Sequence, residues 1–132
     1  LAGKFDVLAS EIELSVRPLV GRGYVVFHDA YQYFERRFGL SPAGSVTVSP
    51  DVPASAKRIT ELRRKIVALQ AVCVFAEPQF SPKVIDPIVE GLGVRRGTLD
   101  PLGAAIPAGP GHYPALLRSL ASGLQSCLAN PS

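Results

Sequence analysis

Residues 24–30 read Tyr24-Val25-Val26-Phe27-His28-Asp29-Ala30, an apolar run that stops at a histidine and is followed by a helical pattern. An unbroken apolar run of this kind predicts a strand that is covered on both faces of a parallel sheet. Open α/β sheets bind their ligands outside the carboxyl ends of the strands, so a histidine at this position is expected to face the binding site. His28 is therefore the first candidate functional residue.

The segments on either side of this strand predict alternating helices and strands. Before it, an apolar residue at every third or fourth position predicts a helix that ends near Pro18 and Gly21-Arg22-Gly23. The apolar face of that helix consists of Phe5, Leu8, Ile12, Val16 and Leu19. After the strand, Asp29 and Gln32 have the spacing of a capping box, which predicts a helix capped by Asp29 and ended by Gly39.

The remainder of the chain continues the same alternation. It predicts strands over residues 44–48, 72–75 and 94–99, a long helix after the turn 49–53, a helix that begins at Ser81-Pro82, and a final helix after the Gly/Pro-rich loop 104–111. The buried face of the long helix is expected to consist of Ile59, Leu62, Ile66 and Leu69. Right-handed crossovers fold this order into an α/β domain, a mostly parallel four-stranded sheet between helices.

Composition narrows the function classes. The chain has 132 residues, 47% of them hydrophobic, with 14 Lys+Arg against 11 Asp+Glu and a net charge of +3. The basic residues lie in short groups, without an accompanying stripe of aromatic residues, so a nucleic-acid partner is not expected. No apolar stretch approaches the roughly 18 residues that span a bilayer, so direct membrane insertion is not expected either. Because the chain lacks Met and opens inside a helical pattern, we expect it to be a piece of a longer protein.

Chemistry-bearing side chains follow each predicted strand. They are His28 after the first strand, Thr47 and Ser49 at the second, Glu77 after the third and Asp100 after the fourth. Alone, each has an ordinary structural explanation, as a hydrogen-bonded histidine or as a capping or turn carboxylate. Together, one imidazole and two carboxylates at one sheet edge favour a metal or proton-transfer site, and these donors suit Zn²⁺. His112 lies in the Gly/Pro-rich region and is expected at the surface.

An enzyme is the alternative interpretation of these strand-end residues. A doubly wound enzyme or a phosphoacceptor domain would use His28 and Glu77 as acid and base. The glycines Gly21 and Gly23 come before the strand, so they do not form the phosphate-binding turn of a dinucleotide site. No nucleophile elbow is present.

The two cysteines leave two possibilities open. Cys73 lies in a predicted core strand and Cys127 near the end of the last helix, and buried free thiols are as consistent with the residues as a disulfide.

Three separated blocks resemble the C-terminal lobe of the periplasmic zinc-binding proteins of high-affinity zinc ABC importers, in the metal-specific cluster of substrate-binding proteins. The blocks are Tyr24-Val25-Val26-Phe27-His28-Asp29-Ala30-Tyr31-x-Tyr33-Phe34, Cys73-Val74-Phe75-Ala76-Glu77-Pro78-Gln79-Phe80 and Gly97-Thr98-Leu99-Asp100-Pro101-Leu102-Gly103. The resemblance covers essentially the whole chain. It implies a bilobal protein in which residues 1–20 are the tail of the helix between the lobes and residues 21–132 form the C-terminal lobe.

The same resemblance implies a function and a set of residues. His28 would be a metal ligand, Asp100 a less certain one and Glu77 the weakest candidate, with zinc as the transported substrate and manganese or iron as the alternative metal. It also implies a Cys73–Cys127 disulfide, a periplasmic location, a membrane permease as partner and no catalytic activity. The N-terminal lobe and its histidines are absent from the chain, so the site would be incomplete. The apolar face of the first helix would be exposed, and the helix would then self-associate or be buried elsewhere.

Overall fold

The structure, a computed structural model, describes residues 2–47, 54–104 and 106–129. The chain alternates helices and strands in an α/β arrangement. In order, the elements are α1 (Ala2–Val16), a 3₁₀ helix (Arg17–Leu19), β1 (Tyr24–His28), α2 (Gln32–Phe38), β2 (Pro42–Thr47), α3 (Ala56–Ala68), β3 (Cys73–Ala76), a second 3₁₀ helix (Pro82–Ile85), α4 (Asp86–Val89), β4 (Arg95–Thr98) and α5 (His112–Leu128). The predicted turn 49–53, with Ser49 and the expected strand end at Val48, lies outside the described residues.

The four strands form one sheet in the order β2-β1-β3-β4, and every neighbouring pair is parallel. The predicted α/β fold with a four-stranded sheet is therefore confirmed. From β1 the chain crosses to β2 on one side and then to β3 on the other side. The strand order thus reverses between β1 and β3, which makes the crevice at their carboxyl ends the expected place for a ligand.

Helices cover both faces of the sheet. Tyr24 and Val26 of β1 pack with α1, α2 and α5, whereas Val25 and Phe27 pack with α3 and α4. Alternate residues of a strand point to opposite faces, so this strand contributes to both halves of the core. All four side chains are buried, as the unbroken apolar run predicts.

The apolar face of α1 is not exposed. Leu8, Ile12 and Val16 are buried in the chain's own core against α2 and α5, so the expectation that this face is exposed was wrong, and of its two expected consequences the structure shows burial. Gln125 of α5 donates a hydrogen bond to the carbonyl of Ser15 at 2.8 Å, which fixes the two helices side by side. The side chain of Phe5 lies outside the described residues.

Asp29 does not cap α2. The chain makes a tight turn after β1, with the Ala30 N–H donating to the His28 carbonyl at 2.9 Å, so the helix begins only at Gln32. The N-cap is Tyr31, without a side-chain hydrogen bond, and Asp29 instead accepts a hydrogen bond from the side chain of Gln32. The predicted C-cap is confirmed, since Gly39 has a φ of 72°.

Two other helical predictions need correction. Leu69 is 59% exposed because it follows the last residue of α3 and leaves the buried stripe that contains Leu62 and Ile66. The helix predicted from Ser81-Pro82 is a 3₁₀ turn followed by a single α-helical turn, with Pro87 lacking the N–H that would link the two into one regular helix.

Helix α5 approaches β4 closely at two glycines. A Cβ at Gly123 would lie 2.7 Å from Cδ2 of Leu99 and 3.0 Å from the carbonyl oxygen of Thr98. A Cβ at Gly97 would lie 3.2 Å from Cβ of Cys127 on α5 and 2.5 Å from the ring of Phe75 on β3. Only glycine therefore fits at this contact between helix and sheet without a displacement of the backbone or of a core side chain.

Gly123→Ala is expected to lower the free energy of unfolding by about 1–3 kcal/mol, the usual cost of overpacking a core. Helix propensity acts in the opposite direction, since alanine in a helix interior is favoured over glycine by about 1 kcal/mol. Urea denaturation of Gly123→Ala beside Ser122→Ala, an exposed neighbour on α5, measures the balance. A stabilised Gly123→Ala variant would contradict the close approach.

A disulfide joins Cys73 of β3 to Cys127 of α5, as the resemblance implied. The bond links the middle of the sheet to the end of the last helix, across 54 positions of sequence. Loop-closure entropy assigns a cross-link of this length about 4 kcal/mol of stabilisation. Neighbouring Arg95 donates to the carbonyl of Cys127 at 3.0 Å and fixes the same helix end.

Alkylation followed by intact-mass measurement is expected to show no modified cysteine in unreduced, denatured protein and two after reduction. Reduction should also lower the urea midpoint, because the unfolded chain regains its loop entropy. Two alkylated thiols without reduction, in protein from an oxidising preparation, would contradict the disulfide.

Candidate functional site

His28 and Glu77 meet at the crevice between β1 and β3. The strands pair with Tyr24 opposite Cys73 and Val25 opposite Val74, and the same offset places His28 opposite Glu77. Nδ1 of the imidazole lies 2.5 Å from Oε2 of the carboxylate. His28 and Glu77 are far apart in the sequence, and the parallel register of β1 and β3 brings them together.

This pair is partly buried, in an asymmetric way. Glu77 is 3% exposed, whereas the side chain of His28 is 22% exposed. Nδ1 and Oε2 are both buried, and within the described residues neither atom has another hydrogen-bond partner. Since Nδ1 is covered, the exposed part of the ring lies elsewhere, and Nε2 is the nitrogen left for a ligand. Burial raises the pKa of Glu77, and the adjacent imidazole opposes that rise.

One turn after β3 connects the pair to Asp100. The Phe80 N–H donates to the Glu77 carbonyl at 3.2 Å, and the Phe80 ring stacks on Phe27 with centroids 4.8 Å apart. Between them, Gln79 donates from Nε2 to Oδ1 of Asp100 at 2.9 Å. The turn therefore positions both carboxylates relative to β1. Gln79 lies in one of the three blocks that resemble the zinc-binding proteins, but nothing in the sequence predicted its bond to Asp100.

Asp100 organises the turn that follows β4. Its Oδ1 accepts from the Leu102 N–H at 2.9 Å, and its Oδ2 accepts from the Ala104 N–H at 2.8 Å. Desolvation acts to raise the pKa of Asp100, but hydrogen bonds from Gln79 and the backbone outweigh it and hold the pKa below the usual range. Asp100 is thus a charged turn carboxylate, and Oδ2, with one hydrogen bond, keeps a free lone pair.

Tyr31 lies behind the two carboxylates. Its buried hydroxyl donates to the Leu99 carbonyl at 3.4 Å. Burial and the charges of Glu77 and Asp100 raise its pKa, so the phenol stays protonated and remains a donor. The one sequence signal for Tyr31 is its position three residues after His28, in the same block that resembles the zinc-binding proteins.

The structure corrects the placement of His112. It is the first residue of α5, partly buried, and its ring would meet a Cβ on Gly103 at 3.0 Å. Gly103 has a φ of 60°, which favours glycine, so His112 packs against the turn that Asp100 organises. The backbone of Thr47 ends β2 at the same edge as His28, and Ser49 lies outside the described residues. Within residues 2–47, 54–104 and 106–129, no three His, Cys, Asp or Glu side chains form a group that could hold a metal ion.

Comparison with known proteins gives a consistent result. A family profile described as the zinc-uptake complex component A periplasmic, ZnuA, matches residues 1–127. The chain is 49% identical over 126 residues to the high-affinity zinc uptake system protein ZnuA of Brucella suis, covering 96% of this chain and 38% of that protein. The chain belongs to this family. The corresponding Yersinia pestis protein is 50% identical over 113 residues, covering 86% of this chain and 36% of that protein.

A solved structure of a ZnuA protein shares the fold of this member of the zinc-uptake family. The TM-score is 0.76 at 26% sequence identity, and the match covers 96% of this chain and 44% of that chain. The chain therefore spans less than half the length of these relatives. The family is one of substrate-binding transport components and is not a family of known enzymes. No helix in the described part of the chain is long and apolar enough to cross a membrane.

A second buried carboxylate of this zinc-uptake family member lies away from His28. Glu35 of α2 is buried and accepts a hydrogen bond from Tyr24 at 2.5 Å. Burial raises the pKa of Glu35, and the bond from Tyr24 opposes the rise only in part. In the unfolded chain Glu35 ionises at its ordinary pKa, so the folded protein loses stability as pH rises from there through the raised folded pKa.

Glu35→Gln is expected to raise the urea midpoint at pH 7, because the amide still accepts from Tyr24 without the cost of a buried charge. The gain should vanish below about pH 4, where Glu35 is protonated in both the folded and the unfolded chain. Glu90→Gln, an exposed carboxylate, serves as the control and should change little at either pH. A gain that does not depend on pH would contradict the ionisation argument.

Proposed function

We propose that this chain is the C-terminal lobe of a periplasmic zinc receptor, in which His28 binds transported Zn²⁺ that is then passed to a membrane permease. The observation that carries the proposal is the His28–Glu77 pair. It lies at the crevice where the strand order reverses, with Nδ1 covered by a carboxylate and Nε2 left for a ligand. Protein-bound zinc takes neutral imidazole nitrogen as a common ligand.

The choice of zinc over manganese or iron follows from the donor at position 28. Imidazole suits Zn²⁺, whereas the harder Mn²⁺ prefers carboxylate, carbonyl and water oxygens. The Brucella and Yersinia relatives are named as zinc uptake proteins, which supports the same choice. Asp100 is proposed as a second, weaker ligand through the free lone pair on Oδ2, because its carboxylate already holds the turn 100–104.

The remaining donors are proposed to come from outside this chain. A zinc site usually has four ligands, and the described part of the chain brings no three candidate donors together. We propose that a second lobe supplies histidines across a shared cleft. In this arrangement residues 1–20 are the tail of a helix between lobes and residues 21–132 are the C-terminal lobe, which acts as a receptor and not as an enzyme.

In the full-length protein, His28→Ala is expected to weaken zinc binding most, by more than about 100-fold, the upper range for loss of groups that only support a ligand. Asp100→Ala should have an intermediate effect, and His112→Ala should have little. Competition titration against a zinc chelator gives the three affinities. The isolated 132-residue chain should bind zinc orders of magnitude more weakly than the full-length protein, because most donors are missing.

Two outcomes would contradict this proposal. An unchanged zinc affinity in His28→Ala, or a larger loss in His112→Ala than in His28→Ala, would remove His28 from the site. The same titrations with Mn²⁺ test the metal assignment, and tighter binding of Mn²⁺ than of Zn²⁺ would overturn it.

A further inference from the structure

We propose that Glu77 is a positioning residue that fixes the tautomer and direction of the His28 imidazole and is not itself a metal ligand. The inference rests on the proposed function of His28. Its basis is the 2.5 Å approach of Glu77 Oε2 to His28 Nδ1 and the burial of both atoms.

The short approach requires a proton between the two atoms. An ionised carboxylate oxygen and an unprotonated ring nitrogen both present lone pairs, and two lone pairs at this distance repel. A proton between Nδ1 and Oε2 removes the repulsion. When the neutral imidazole carries that proton on Nδ1, its lone pair is on Nε2, the nitrogen that is free of the carboxylate.

Burial argues against direct ligation by Glu77. Its side chain is 2% exposed and its Oε2 is enclosed against His28, so reaching a metal in the open crevice would require giving up this contact. A carboxylate that holds the non-ligating nitrogen of a histidine is the usual way in which protein ligands to zinc are oriented.

Neighbouring residues hold Glu77 in place. Its carbonyl accepts from the Phe80 N–H, and Phe80 stacks on Phe27, the residue that precedes His28. Tyr31, packed beside Glu77 and Asp100, closes the buried side. Glu77 is therefore linked through Phe80 to the strand that carries the histidine.

The first experiment reads the tautomer of His28 directly. Full-length protein labelled with ¹⁵N-histidine and freed of metal gives the ring ¹⁵N shifts at about pH 8.5, with His28→Ala for assignment. We expect the Nδ1–H tautomer in the wild type and in Glu77→Gln, whose amide oxygen still accepts. Glu77→Ala should show a mixture of tautomers.

Zinc affinity by chelator competition is the second readout. Glu77→Ala should lose up to about 100-fold and Glu77→Gln about 10-fold, the range measured for outer-shell partners of zinc ligands. Glu35→Gln is the matched control, since it removes another buried carboxylate without touching His28, and should leave both the tautomer and the affinity unchanged.

The outcomes separate the inference from the proposed function. Wild-type zinc affinity in Glu77→Ala would overturn the positioning role, and a loss in Glu77→Gln as large as that of His28→Ala would overturn it even if Glu77→Ala does not fold. A loss in Glu77→Ala as large as that of His28→Ala, with the tautomer unchanged, would also overturn it and make Glu77 a ligand. Unchanged zinc affinity in His28→Ala would instead contradict the proposed function, whatever the tautomer shows.

Discussion

Parallel pairing of β1 with β3 is the constraint on which the arrangement of the site depends. The two strands are distant in sequence but adjacent in the sheet, because after β2 the chain crosses to the other side of β1 and adds β3 there. Their register brings an imidazole and a carboxylate to the same level at the carboxyl edge. A shift of one residue would turn each side chain of β3 to the other face and separate the pair, so the register of this strand pair also fixes the geometry of the candidate site.

The packing of α5 preserves that register from the opposite end of the sheet. A disulfide attaches the helix to Cys73, the residue that pairs with Tyr24, and glycine at position 123 lets the helix approach β4 closely. The covalent and steric constraints both act on the strands that carry Glu77 and Asp100. Stability and site geometry are therefore coupled, since a displacement of α5 would disturb the core on which β3 and β4 rest.

The sequence predicted the parts of this structure that follow from apolar periodicity. The strand that ends at His28, the parallel sheet and the glycine that ends α2 are all confirmed. Capping was predicted less well, because Asp29 has the right spacing for a cap but the tight turn at Ala30 uses the residues where the helix would have begun. The apolar face of α1 was assigned to a missing partner, since periodicity shows that a face is buried without showing what covers it. The site was predicted as a set of strand ends, whereas the roles of Gln79 and Tyr31 depend on side-chain contacts that local patterns do not encode.

The two buried carboxylates show how the same residue type serves different purposes in one core. Glu35 faces a tyrosine, which is a neutral donor, so burial keeps its pKa high and the group acts within the packing of α2. Glu77 faces an imidazole, which can carry a positive charge or donate a proton, so the cost of burying the carboxylate is offset by a partner that also reaches the crevice. A buried carboxylate beside an imidazole orients the ring and so sets the direction of its exposed nitrogen. That difference in partner, and not the burial that they share, distinguishes Glu77 at the candidate site from Glu35 in the core.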